Sequence, residues 1–260
     1  RRLGTRLLIR TTRKLTLTDA GTAYVAAARR ILDQVEEAER QAAGEFTAPK
    51  GELVVTAPLM FGRLHVLPVV ADFLGLFAEI DIRLVLSDRN AHLVDDHIDV
   101  AVRIGRLPDS AMIATRIGSM RTVVCAGPGL LAAHGVPKTP EDLRCLPCIT
   151  VDTPMPASGW RFQPAGSAAA EEIPVVPRLS VTTPEAAVEA AVRNVGVARL
   201  LHYQVADAVK AGSLRLILEG FEPVPAPVHL VHAASWQMPL KLRCFLDFAV
   251  PRLRQVLGSI

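Results

Sequence analysis

Between Thr18 and Ala42, apolar or small residues recur at Gly21, Tyr24, Ala28, Ile31, Val35, Ala38 and Ala42, alternately three and four positions apart. Arg29, Arg30, Asp33, Glu36, Glu37, Glu39 and Arg40 fill the other faces. This heptad spacing predicts one long helix, with Thr18 as N-cap, Asp19 in the first turn and a hinge over residues 44–51. So narrow an apolar stripe calls for a partner helix, and its small residues permit close approach; the competing reading is an amphipathic helix lying on its own domain.

Ahead of that helix, apolar and polar positions alternate at 7–10 and 15–18, predicting a two-stranded ribbon with its tip at 11–14. A lone ribbon is marginal, and Gly4 marks the end of a helix on which it would lean. From Glu52 on, short apolar runs alternate with helical patterns. Strands are expected at 52–58, 80–87, 98–105, 122–129, 147–151, 178–181, 195–201, 214–218 and 227–233. Helices are expected at 59–77, 90–97, 184–194, 203–211 and 239–257. This order predicts mostly parallel sheets with helices on both faces, in two α/β halves joined at 125–128 and 225–228 around a cleft.

Charge changes the picture at one end only. The chain has 29 basic and 26 acidic residues, a net charge of +3. Arg1, Arg2, Arg6, Arg10, Arg13 and Lys14 supply six of the basic residues, so residues 15–260 hold 23 against 26 and sit near −3. A head of one sign attracts a polyanion, and Arg and Lys contacts to phosphate give the sequence-independent part of DNA affinity. With 50% hydrophobic and 21% charged residues, the rest reads as a globular chain with more than one core. No uninterrupted apolar run approaches the roughly 20 residues of a bilayer span, and no leader opens the chain, so a cytoplasmic protein without membrane contact is expected. The first residue is Arg, from which a piece of a longer product is expected.

Little here asks for catalysis. Cys145 and Cys148 have the spacing of a redox pair but precede an apolar strand-like run, and with Cys125 and Cys244 they read as reduced thiols. His229 and His232, three apart on a strand, point to opposite faces and suit a metal poorly. Asp95, Asp96, His97 and Asp99 read as a solvated charged turn. Phosphate-binding glycine loops, nucleophile elbows and zinc-helix motifs are missing, so neither metal nor cofactor is expected and the chain does not read as an enzyme.

The stretch LGTRLLIRTTRKLTLTDAG resembles the end of the winged helix-turn-helix domain of LysR-type transcriptional regulators. GELVVTAPLMFGRLHVLPVVADF, IDVAVRIGRLPDS, NVGVARLLHYQVADAVKAGSLRLIL and KLRCFLDFAVPRL are similar to landmarks of that family's effector-binding domain. The resemblance covers essentially the whole chain. It implies an α/β, two-lobed, periplasmic-binding-protein-like effector domain, preceded by a long linker helix and a remnant of a winged helix-turn-helix. The implied parts are a wing at 1–17, a dimerisation helix at 18–44, a first lobe from 51–125 plus 229–260, and a second lobe at 126–228. Most base reading comes from a recognition helix, which in the family precedes the equivalent of Leu3; the six basic residues named above would therefore position DNA rather than specify sequence.

The implied function is a DNA-binding regulator controlled by a small-molecule effector, aromatic or carboxylate, and working as a homodimer or homotetramer through Tyr24, Ala28, Ile31, Val35 and Ala38. In the family the turn at Pro58, Leu59, Met60 and Phe61 lines the effector pocket, commonly with a hydroxyl residue. Its helix-start amides suit an anion, but Pro58 and Leu59 remove a donor and a hydroxyl, which favours a more apolar effector. Ser87, Asp88, Arg103 and Gly105 follow strand ends on the same side, Arg103 being suited to two-point pairing with a carboxylate or to an ordinary ion pair with Asp88. Thr150, Val151, Val197 and Arg199 are the counterparts in the second lobe. The alternatives are a solute-binding protein, which shares the cleft but predicts no basic head or heptad helix, and a hydrolase or Cys145-based redox enzyme.

Overall fold

The computed structural model describes residues 4–10, 15–42, 48–88, 93, 96–108, 111–152, 159–164, 169–234 and 238–260. Strands β1 (Leu8–Arg10) and β2 (Leu15–Leu17) pair antiparallel with Ile9 opposite Thr16, the expected ribbon. Helix α1 (Asp19–Ala42) follows. Its start is fixed locally: the Thr18 hydroxyl accepts the Gly21 N–H at 2.9 Å and donates to the Arg6 carbonyl at 2.7 Å. A Cβ at Gly21 would lie 1.9 Å from the Leu7 carbonyl oxygen, so only glycine lets the ribbon lie against the helix. Tyr24, Ile31 and Val35 are 50, 60 and 49% exposed, so the seam is not buried against the chain's own body. The side chain of Ala38 lies outside the described residues.

The first lobe is a five-stranded sheet in the order β4-β3-β5-β14-β6. Its strands are β3 (Gly51–Ala57), β4 (Ile80–Leu86), β5 (Val100–Ile104), β6 (Met112–Met120) and β14 (Ala226–Ala233). The second lobe repeats the plan as β11-β8-β12-β7-β13, from β7 (Thr122–Ala126), β8 (Cys148–Val151), β11 (Pro177–Val181), β12 (Val197–Leu201) and β13 (Arg215–Ile217). A small hairpin of β9 (Trp160–Phe162) and β10 (Glu171–Ile173) closes one side of its core.

In each sheet one strand runs against the other four: β14 is antiparallel to β5 and β6, and β7 to β12 and β13. These are the first strands after the two crossings between lobes. A strand arriving from the other lobe starts at the sheet edge where its neighbours end, so it must run the other way. The expectation of parallel order is thus refined at these two strands. The first joint is corrected as well. β7 pairs within the second sheet, so the chain crosses at Arg121 rather than at 125–128, and it returns ahead of β14. An apolar run announces a buried strand but not the sheet it joins.

The helix after β3 comprises α2 (Leu59–Phe61), one π-turn (Gly62–Val66) and α3 (Leu67–Leu76). By length and composition Leu59–Leu76 could cross a membrane, but Phe61, Val66, Val69, Val70 and Phe73 form the first lobe's core with Phe245 and Leu253 of α7 (Leu240–Ser259). The second lobe is flanked by α4 (Pro128–His134), α5 (Pro184–Val192) and α6 (His202–Lys210). Most of the expected 90–97 helix lies outside the described residues; Leu93 and Ile98 are buried in a cluster with Val54, Ala101 and Val231.

Candidate interlobe site

The strand-to-helix turn of the first lobe puts backbone donors beside α6 of the second. Pro58 has no N–H, and the Leu59 N–H donates to Asp88 Oδ1 at 3.0 Å. Asp88 is held there because the Ser87 N–H bonds the Ala57 carbonyl at 3.0 Å, continuing the β3–β4 ladder past its end. The chain's own carboxylate therefore occupies the first amide of a turn whose amides suit an anion. Behind it, the buried Thr56 hydroxyl donates to the Val85 carbonyl at 2.8 Å.

From the second lobe, Tyr203 reaches across to this turn. It is 5% exposed and belongs to the first lobe's core cluster. Its ring stands edge-on to Phe61 at 5.3 Å and to His65 at 5.7 Å, and Phe61 and His65 are 5.0 Å apart. The Phe61 N–H and Gln204 Nε2 donate to the phenol oxygen, the latter at 3.3 Å. Burial, with the carboxylates of Asp88 and Glu185 in support, pushes the phenol up to about 12. Glu185 sits in the first turn of α5, and its buried Oε2 has no hydrogen-bond partner. Burial also holds the His65 imidazole below its ordinary range, partly offset by Asp207 on α6.

The remaining expected positions are more dispersed. Arg103 lies opposite His229 in the sheet, and burial lowers its pKa. Gly105, at φ 115°, donates its N–H to the Pro227 carbonyl at 2.8 Å. Thr150 bonds the Ser180 hydroxyl at 2.9 Å, and Val151 pairs with Val181. Val197 is fully buried in the second core, as Phe61 is in the first, so both can only shape a site from behind. Arg199 is desolvated by burial and repelled by Arg161, and its Nε is buried without a partner. Among the described residues no group of three or more His, Cys, Asp or Glu is arranged for a metal.

At the crossing, Arg121 clasps Glu222 with two hydrogen bonds of 2.8 and 2.7 Å and reaches Glu219 at 3.3 Å. These contacts, mainly the Glu222 bond, raise the arginine pKa. Tyr203, His65, Glu185, Arg121 and Glu222 were not singled out in the sequence. The one hint for Tyr203 was an aromatic residue opening the expected 203–211 helix, two positions after the 195–201 strand.

Residues 47–254 match the family described as the LysR substrate binding domain. The chain belongs to the LysR family of transcriptional regulators. It is 30% identical over 252 residues to the probable HTH-type transcriptional regulator LtrA of Klebsiella pneumoniae, covering 95% of this chain and 81% of that protein. It is 30% identical over 254 residues to the HTH-type transcriptional regulator CrgA of Neisseria meningitidis serogroup B, covering 97% and 84%. The solved structure of CrgA, a LysR-type regulator, superposes with a TM-score of 0.70 at 29% identity, over 97% of this chain and 85% of that one. Full-length AphB of Vibrio cholerae shares the fold, with a TM-score of 0.70 at 23% identity over 96% and 85%.

In this LysR regulator the Cys145–Cys148 pair is split by environment. Cys145 is exposed, whereas Cys148 is buried with its Sγ 3.5 Å from the Leu146 carbonyl, and none of the four cysteines is in a disulfide. Burial pushes Cys148 up to about 11 and Cys125 up to about 12. A thiol so protonated is a poor nucleophile, which speaks against the redox reading.

Proposed function

We propose that this LysR-type regulator acts on DNA in the cytoplasm as a homodimer or homotetramer and is switched by a small molecule held between its lobes. The observation that carries the reading is the meeting of the 58–61 turn, Asp88 and Tyr203 where the first lobe touches α6 of the second. Leu59, Met60, Ser87, Asp88, Arg103 and Gly105 would approach the effector from one side, and Thr150, Val151 and Arg199 from the other. Pro58, Phe61 and Val197 shape the walls. Asp88 on the Leu59 amide favours an aromatic or otherwise apolar effector, because a carboxylate must first displace a like charge.

The exposed seam supports pairing of α1 through Tyr24, Ala28, Ile31, Val35 and Ala38. Pairing sets two basic heads side by side, each with exposed Arg6, so the operator would be an inverted repeat. Arg1, Arg2, Arg13, Lys14 and the side chain of Arg10 lie outside the described residues and complete the proposed phosphate-contacting set. A secreted solute-binding protein would need neither head nor seam.

The test is a thermal-shift panel of small aromatics and carboxylates. A ligand present at 100 times its Kd stabilises the folded state by about 2.7 kcal/mol. The shift should vanish in Leu59→Asp and shrink in Arg103→Ala. A ligand that stabilises both variants as well as wild type would place binding elsewhere.

A further inference from the structure

We propose that His65 and Tyr203 form a proton-sensitive latch, which holds the two lobes together while His65 is neutral and lets go when it is protonated. Tyr203 is a second-lobe side chain built into the first lobe's core, and its neighbour Leu201 packs there too. It is held by one backbone N–H, from Phe61, and by two edge-on rings. The His65 ring closes this group from the π-turn, a distortion that often marks functional positions in helices. Gly62 begins the turn, and a Cβ there would lie 2.2 Å from Leu86 Cδ2, so the widened turn is pressed against β4.

His65 Nε2 is shut off from solvent and has no hydrogen-bond partner. An imidazolium in this place would bury a charged N–H with nothing to receive it, which costs free energy that an open cleft would return. The groups facing it are few. Tyr203 and Asp207 come from α6, Arg63 stands exposed in the same turn, and Asp88 and Glu185 act on the Tyr203 phenol. His202, beside Tyr203, also has a buried Nδ1 without a partner. Ala57 of β3 and Leu242 and Phe245 of α7 add only apolar surface to the cluster.

Among these, Asp207 opposes the loss of the proton, but burial outweighs it. The sign follows: the latched form prefers neutral imidazole, so the latch is at full strength above the ordinary histidine pKa of about 6.5 and weakens as pH falls through and below it. The Arg121–Glu222 clasp joins the two crossings, so the lobes would swing about it rather than part.

The inference rests on the reading that lobe arrangement is what the effector controls, and its test needs no effector. The sequence has two tyrosines, exposed Tyr24 and buried Tyr203, so the intact protein labelled with 3-fluorotyrosine gives two fluorine NMR signals. Between pH 7.5 and 5.5 the Tyr203 signal should move toward the position of 3-fluorotyrosine in the urea-unfolded protein, while that of Tyr24, remote in the α1 seam, stays still. The movement should be lost in His65→Gln, and in His65→Phe, which keeps a ring if the amide variant folds poorly. It should survive in His202→Gln and grow in Asp207→Asn. A Tyr203 signal that does not move in wild type, or that titrates unchanged in both His65 variants, overturns the latch. Neither result would touch the ligand-binding panel run at pH 7.5.

Discussion

Asp99 shows how far a residue can be read from its neighbours in sequence. Within a run of acids it reads as part of a solvated turn, yet its Oδ2 accepts the Val54 N–H at 2.7 Å, tying the start of β5 to the middle of β3. Val54 is 1% exposed, so removing the acceptor strands a buried donor, at a cost of about 1–3 kcal/mol. Asp99→Ala should therefore lower the urea midpoint while leaving the m-value alone. Thr18 is the opposite case. Its capping role was plain from the residues around it, because both of its hydrogen bonds close within a dozen positions. The candidate site divides in the same way. The 58–61 turn was legible as a strand running into a helix, whereas Asp88 on its amide and Tyr203 across it come from far along the chain.

Whole elements were legible where one face carries a regular apolar repeat. The α1 seam is such a case, and the exposure of Tyr24, Ile31 and Val35 leaves it available to a second copy. Val35→Asp places a charge in that seam and should lower the apparent size on gel filtration, with circular dichroism unchanged; an unaltered elution volume would count against pairing there. β6 went unread because its residues Met112–Met120 are mostly half-buried or exposed, as suits an edge strand, so no clean alternation appears. The β9 and β10 strands are three residues each, too short for any period to declare itself. The π-turn was equally silent, since it adds no break in the helical pattern over 59–77.

For the whole molecule, the reversal of β7 and β14 makes the two crossings neighbours, and this is where Arg121 meets Glu222 and Glu219. Arg121 is 40% exposed, so solvent screening limits the loss in Arg121→Ala to about 1 kcal/mol, or roughly 2–4 °C in Tm at this size. That loss should shrink in high salt, because the contribution is electrostatic. The sequence by itself determined what depends on near neighbours: the ribbon, the capped helix with its seam, the succession of strands and helices, and through them the family. Which sheet each strand joins, which strand runs backward, what fills the helix-start amide and which ring bridges the lobes were decided only by tertiary structure. These features join residues remote along the chain, and local periodicity carries no record of partners brought together by the packing of the whole.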